Sequence, residues 1–151
     1  MQTEIYTLKQ PAFIDVNGGE IRIENIEIKP PTGRCRTAVF QLKQIFSKAQ
    51  IDLSILSSNA MQNNESIEQE VQKAQEQAKK KERNIEDEID SALTILYSGG
   101  ADLESCQKPL SAILEMTAKI NCEDVFKKSY LDEMQFDDVE RLLGFYIANF
   151  M

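Results

Sequence analysis

The sequence predicts an α+β fold, mostly α: a small N-terminal antiparallel β-hairpin or sheet followed by a helical bundle with one long polar helix. Three observations carry this. Alternating apolar residues run through the first 30 positions on either side of Asn17-Gly18-Gly19, which tolerates the positive φ of a tight turn. Pro30-Pro31 then closes the sheet region, because neither proline can donate a ladder hydrogen bond. Beyond them, apolar residues recur at three- and four-residue spacing to the last position. A chain of 151 residues with 42% hydrophobic content suffices for a single domain with a packed core. Its parts are a β region at 1–30, a first helical region at 31–56, the long polar helix at 60–98 and C-terminal helices at 101–151.

The outgoing strand carries Tyr6 and Leu8, then Ala12, Ile14 and Val16, on one parity. The return strand places Ile21 and Ile23 on one parity but Ile26 and Ile28 on the other. The slip falls at Glu24-Asn25, where either a bulge or a short turn is required. Thr32 stands where a helix N-cap is expected. Ala38, Val39, Leu42, Ile45, Phe46 and Ala49 then form one apolar face of a helix that runs to about Ser47 or on through Ile51, Leu53, Ile55 and Leu56. Positions 57–66 are polar loop residues. From Ile67 to Tyr97 there is no Gly or Pro, and Ile67, Val71, Ala74, Ala78, Ile85, Ile89, Ala92, Leu93 and Leu96 keep a helical stripe. Its first half is thinly apolar, as in a protruding helical arm or a helix packed on a partner in a coiled coil. Ser98-Gly99-Gly100 ends it.

Farther on, Leu110, Ile113, Leu114, Thr117 and Ile120 suggest a helix with Pro109 in its first turn and Asn121 at its C-terminus. Cys122–Tyr130 is a candidate short helix presenting Val125 and Phe126. A final helix begins at Asp137, a candidate N-cap, with Asp138 and Glu140 favourable to its dipole. Its residues Val139, Leu142, Leu143, Phe145, Tyr146, Ile147, Phe150 and Met151 cover more than one face, more than one small chain is expected to bury.

Charge and composition narrow the function. Twenty-five acidic against 17 basic residues give a net charge of -8, which repels phosphate backbones and argues against nucleic acid as a partner. There is no histidine, so the commonest general base and metal ligand are missing. Cys35, Cys106 and Cys122 are widely spaced and odd in number, which points to free thiols at packing positions and away from a disulfide framework or zinc site. No signal-peptide pattern opens the chain and no apolar run approaches a membrane span. The expectation is a cytoplasmic protein without catalytic, cofactor or metal residues.

Two groups remain as candidate partner-binding residues. Lys29, Arg34, Arg36, Lys43 and Lys48 are five basic residues with no acidic residue among them from position 29 to 51, a local reversal of sign suited to an acidic partner or another copy of the chain. Arg34, Arg36 and Lys43 represent this group. Phe145, Tyr146, Phe150 and Met151 represent the surplus apolar surface of the last helix.

The stretches IEIKPPTGRCRTAVFQL, residues 26–42, and SAILEMTAKINCEDVFKKSYLDEMQFDDVERLLGFYIANF, residues 111–150, resemble the tail assembly chaperones of long-tailed bacteriophages. The matching positions are Pro30, Pro31, Thr32 and Arg34 near the start, and Leu114, Asp138, Val139, Leu142, Ile147 and Phe150 near the end. The polar segment at 57–100 departs from the pattern, and Asn121-Cys122 replaces the expected turn glycine. The resemblance implies a non-catalytic protein of the host cytoplasm. It would bind and solubilise the tape measure protein, or another tail protein, during assembly, self-associate weakly and be absent from the mature virion. The competing implications are a head–tail connector or minor tail protein, and a secretion-type chaperone or adaptor.

Overall fold

The computed structural model describes residues 2–16, 18–60 and 84–151. The expectations for the first half of the polar helix, Ile67–Ala78 and the lysines at 79–81, lie outside these residues. Strand β1 (Glu4–Val16) and strand β2 (Gly19–Ile28) form the expected antiparallel hairpin, with Val16 opposite Gly19 and Gly18 at φ 81 in the turn. The β-branched and aromatic residues at alternating positions supply the pleated, half-buried surface that strands favour.

The parity slip is present, and both strands take part in it. Thr7 pairs with Asn25, but the next pair is Ala12 with Ile23. The odd number of extra residues on β1 lets Tyr6, Leu8, Ala12 and Ile14 all face inward while β2 switches from Ile26 and Ile28 to Ile23 across Glu24-Asn25.

Helix α1 (Arg36–Ala60) follows a single 3-10 turn at Gly33–Cys35. Thr32 does not cap it through its side chain. Its carbonyl oxygen accepts from the Cys35 N–H at 3.0 Å instead. The helix runs through the longer of the two expected extents and on to Ala60, so positions 57–60, expected as loop, are helical instead, and Ala38, Leu42, Ala49 and Leu53 are its buried face. Helix α2 (Ile85–Ser98) starts at Asn84, whose side chain accepts from the Glu86 N–H, and buries Ile89, Ala92 and Leu96.

Helix α3 (Leu103–Thr117) begins earlier than expected, because Asp102 caps it through a 2.7 Å bond from the Ser105 N–H, and Pro109 therefore lies in its interior. It also ends earlier. Ala118–Ile120 is strand β3, which pairs with β2, and Asp124–Val125 is strand β4 on β3, giving a sheet of order β1-β2-β3-β4. The expected helix at 122–130 is thus corrected. Asn121 and Cys122, at φ 51 and φ 62, form the turn between β3 and β4, and Val125 is exposed while Phe126 is buried. After the one-turn α4 (Tyr130–Glu133), helix α5 (Phe136–Phe150) closes the fold. Gln135, not Asp137, precedes its first turn, with no side-chain cap.

The inner face of the sheet and the inward faces of α1, α2, α3 and α5 share one hydrophobic core. Helix α5 lies at its centre. Leu142, Leu143, Phe145, Tyr146, Ile147 and Phe150 are all buried, with the Tyr6 and Phe145 ring centroids 5.4 Å apart and those of Tyr146 and Phe150 5.0 Å apart. On its polar side Arg141 joins α5 to both Glu86 and Asp90, one turn apart on α2. The outer face of the sheet holds a cross-strand row, Ile5, Glu27, Lys119 and Val125, and stays in contact with solvent.

Candidate protein-docking face

A helix covered on one side by a core normally presents polar residues on the other. Helix α1 does not. Phe40, Ile51 and Ile55 are 59%, 60% and 54% exposed. At 100° per residue, Phe40 and Ile51 lie about 20° apart, Ile55 about 60° from Phe40, and the buried Leu42 and Ala49 about 160–180° away. The helix therefore carries a second, sparse apolar stripe opposite its core face, spanning about 22 Å from Phe40 to Ile55 at 1.5 Å per residue and interrupted by the exposed Gln44 and Ser47.

Cations flank this stripe. Arg36 and Lys43 lie on one side of Phe40, about 40° and 60° round the helix, and Lys48 about 80° round on the other. All three are exposed, as are Lys29 and Arg34 at the approach to the helix. Among the described residues, Arg34, Arg36 and Lys43 form no ion pair. The first turn of α1 holds no acidic residue either, so nothing there offsets the positive end of the helix dipole. At that end Pro31, Thr32, Gly33, Arg36, Val39, Phe40 and Lys43 line an open hollow of about 330 Å³. It is large enough to seat one bulky apolar side chain against Val39 and Phe40.

The structure thus brings Arg36 and Lys43 together around one exposed aromatic ring, with Arg34 one turn upstream. It separates them from the second group of candidates. Phe145, Tyr146 and Phe150 are 5%, 0% and 3% exposed, so they are core residues in this chain, and Met151 is half-buried against them. The expectation that α5 has more apolar surface than one chain can bury is corrected: two layers of partners, β1 on one side and α2 on the other, cover it. Phe40 is an apolar residue to which the first helical pattern gave no place, and Ile51 and Ile55, expected as the continuation of that helix, are exposed with it. Their signal was available in the 11- and 4-residue spacings that repeat opposite the first stripe.

A larger hollow of about 590 Å³ borders β4 and α4, lined by Glu115, Val125, Phe126, Lys127, Lys128, Ser129 and Asp132. Its two lysines face two carboxylates, and Glu115 already accepts from the Lys128 N–H at 2.9 Å, so it carries no net sign. Among the described residues no cluster of three or more His, Cys, Asp or Glu side chains has the arrangement of a metal site. No helix among them is long and apolar enough to cross a membrane. Of the three free cysteines, Cys35 and Cys106 are buried, and burial raises the Cys106 thiol to about 11, whereas Cys122 is exposed in its turn. No family model matches the chain, and neither a curated protein nor a solved structure matches it.

Proposed function

We propose that this protein is a non-catalytic tail assembly chaperone that binds a long helical client, the tape measure protein of a long-tailed phage, in the host cytoplasm and is left out of the finished particle. The sequence resemblance supplies the client. The observation that carries the binding role is the exposed apolar stripe of α1, Phe40, Ile51 and Ile55, on a helix whose other face is already buried. An amphipathic client helix laid along such a stripe buries its own apolar face, which is what keeps it from aggregating. The net charge of -8 keeps the resulting complex soluble.

Co-expression with a tape measure protein, followed by fractionation and affinity capture, tests this. The expected result is a client that stays soluble and co-purifies only when the protein is present. Phe40→Asp and Ile51→Asp should abolish capture while leaving the circular dichroism spectrum unchanged. Truncating a hot-spot side chain at an interface costs about 2 kcal/mol or more, so a loss of at least about tenfold in affinity is expected from each. A soluble client without the protein, or full capture by the folded double variant, would overturn the proposal.

A further inference from the structure

We infer that the occupant of the α1 stripe is an amphipathic helix of another protein whose apolar face is bordered by acidic side chains. The inference rests on the reading of this stripe as the client-binding face and specifies the chemistry of what it accepts. Three observations carry it. First, cations border the stripe on both sides, Arg36 and Lys43 on one and Lys48 on the other, against one carboxylate in the same span, Asp52, which lies one turn after Lys48 and leaves the Phe40 end uniformly basic. Second, the first turn of α1 has no acidic side chain, so the positive end of the dipole adds to the same sign at the hollow beside Phe40. Third, the chain as a whole is strongly acidic, with 25 acidic residues against 17 basic. A basic stripe on an acidic protein is therefore a local selector of sign.

The same charges argue against a second copy of the chain as the occupant. A symmetric dimer applies the same patch to itself. Two α1 stripes facing each other would bring Arg36, Lys43 and Lys48 of both copies, six cations, into one interface, with Asp52 of each copy as the acidic residue of the stripe to offset them. An acid-bordered helix from a different chain instead places a carboxylate against each cation while its apolar face covers Phe40, Ile51 and Ile55, and a bulky side chain near its end fills the hollow.

Two synthetic helical peptides of 18 residues test this, identical in their Leu/Ala stripe but flanked by Glu in one and Lys in the other. Fluorescence anisotropy reads binding to the intact protein. The Glu peptide should bind at least tenfold more tightly than the Lys peptide. The preference should shrink between 0.1 M and 1 M salt, as the screening length falls from about 10 Å to about 3 Å. The double reversal R36E/K43E should invert the preference, and Phe40→Asp should weaken both peptides. Equal binding of the two peptides, or no binding of the Glu peptide to folded protein, would overturn the inference. So would a wild-type dimer in sedimentation that Phe40→Asp dissociates. If Phe40→Asp blocks capture of the tape measure protein while the peptides bind equally, the client-binding face stands and its charge selectivity falls. If the Glu peptide is preferred while the tape measure protein is not captured, the acidic-helix inference stands and the assembly role falls.

Discussion

Two buried tyrosines in the same core are expected to respond in opposite ways to loss of their hydroxyls. The Tyr6 hydroxyl donates to Asp138 Oδ1 at 2.8 Å, and the same carboxylate accepts from the Lys9 and Gln10 N–H groups at 2.9 and 3.1 Å. Asp138 is 1% exposed. It closes the irregular stretch of β1, where ladder partners are missing between Thr7 and Ala12. Asp138→Ala leaves the Tyr6 hydroxyl and two backbone donors to find new partners, so a loss of about 2–4 kcal/mol in urea unfolding is expected. Tyr6→Phe should cost about 1 kcal/mol alone and close to nothing in the Asp138→Ala background, since the two share one interaction. The Tyr146 hydroxyl, by contrast, is fully buried with no hydrogen-bond partner among the described residues. Tyr146→Phe removes that desolvated group and should leave stability unchanged or raise it by about 1 kcal/mol. The sequence showed Asp137 as a candidate N-cap and Asp138 as a first-turn carboxylate favourable to the helix dipole. Which of them turns inward depends on where β1 lies, and that is tertiary information. Lys9 and Asp137 form only an exposed ion pair at 3.7 Å.

Packing between elements shows the same division between what local pattern fixes and what neighbours decide. The stripes of α1 and α2 were legible because their 3.6-residue period has no competitor. The end of α3 was not, because Ile113, Thr117 and Ile120 continue a helical period while Ala118 and Ile120 also alternate. The open edge of β2 decides between them, since Ala118 and Ile120 pair with Ile28 and Ile26. Neither did the sequence disclose how closely the helices approach. A Cβ on Gly144 of α5 would lie 2.8 Å from Ile89 Cγ2 and 3.0 Å from the Ile89 carbonyl oxygen of α2. At Gly99, after α2, it would lie 2.1 Å from the Ala49 carbonyl oxygen of α1. In an exposed helix Gly→Ala stabilises by about 1 kcal/mol. Gly144→Ala is expected to reverse that sign and cost about 1–2 kcal/mol, because overpacking at a close crossing outweighs helix propensity. Gly99→Ala should cost more, since the obstacle is backbone and cannot rotate away. Thermal unfolding of the two variants should therefore rank them Gly99→Ala below Gly144→Ala below wild type.

Across the whole molecule, the N-terminal hairpin and the C-terminal third fold as one unit. Asp138 from α5 completes β1. Asn121 does the same for β2: its side chain accepts from the Glu24 N–H at 2.9 Å and donates to the Arg22 carbonyl at 2.8 Å across the kink. This cooperativity sets the expected response to alkaline pH. Burial raises the Cys106 thiol from 9.0 to about 11. It also raises Tyr6 and Tyr146 well above their ordinary 10.0, helped at Tyr6 by the Asp138 carboxylate. In each case the folded chain holds a proton that the unfolded chain gives up. Their stabilising contribution is therefore complete below the unfolded values and is lost as pH rises from there toward the folded ones. Each such group takes away about 1.4 kcal/mol per pH unit in that window. Stability should be flat with respect to these groups up to about pH 8, begin to fall near 9 as unfolded Cys106 ionises, and fall at about 3 kcal/mol per unit from 10 to 11, where the unfolded tyrosines ionise as Cys106 nears its folded value. Against a total of about 5–15 kcal/mol, unfolding is complete within a few units above 10. Urea unfolding at a series of pH values reads this slope directly, and tyrosinate absorbance should appear together with loss of the far-ultraviolet signal. Tyr146→Phe removes one of the three protons and should reduce the slope between 10 and 11 by about one third. A slope that did not change in this variant would mean that Tyr146 ionises alike in the folded and unfolded chains, and that the centre of the core is wetter than its packing indicates.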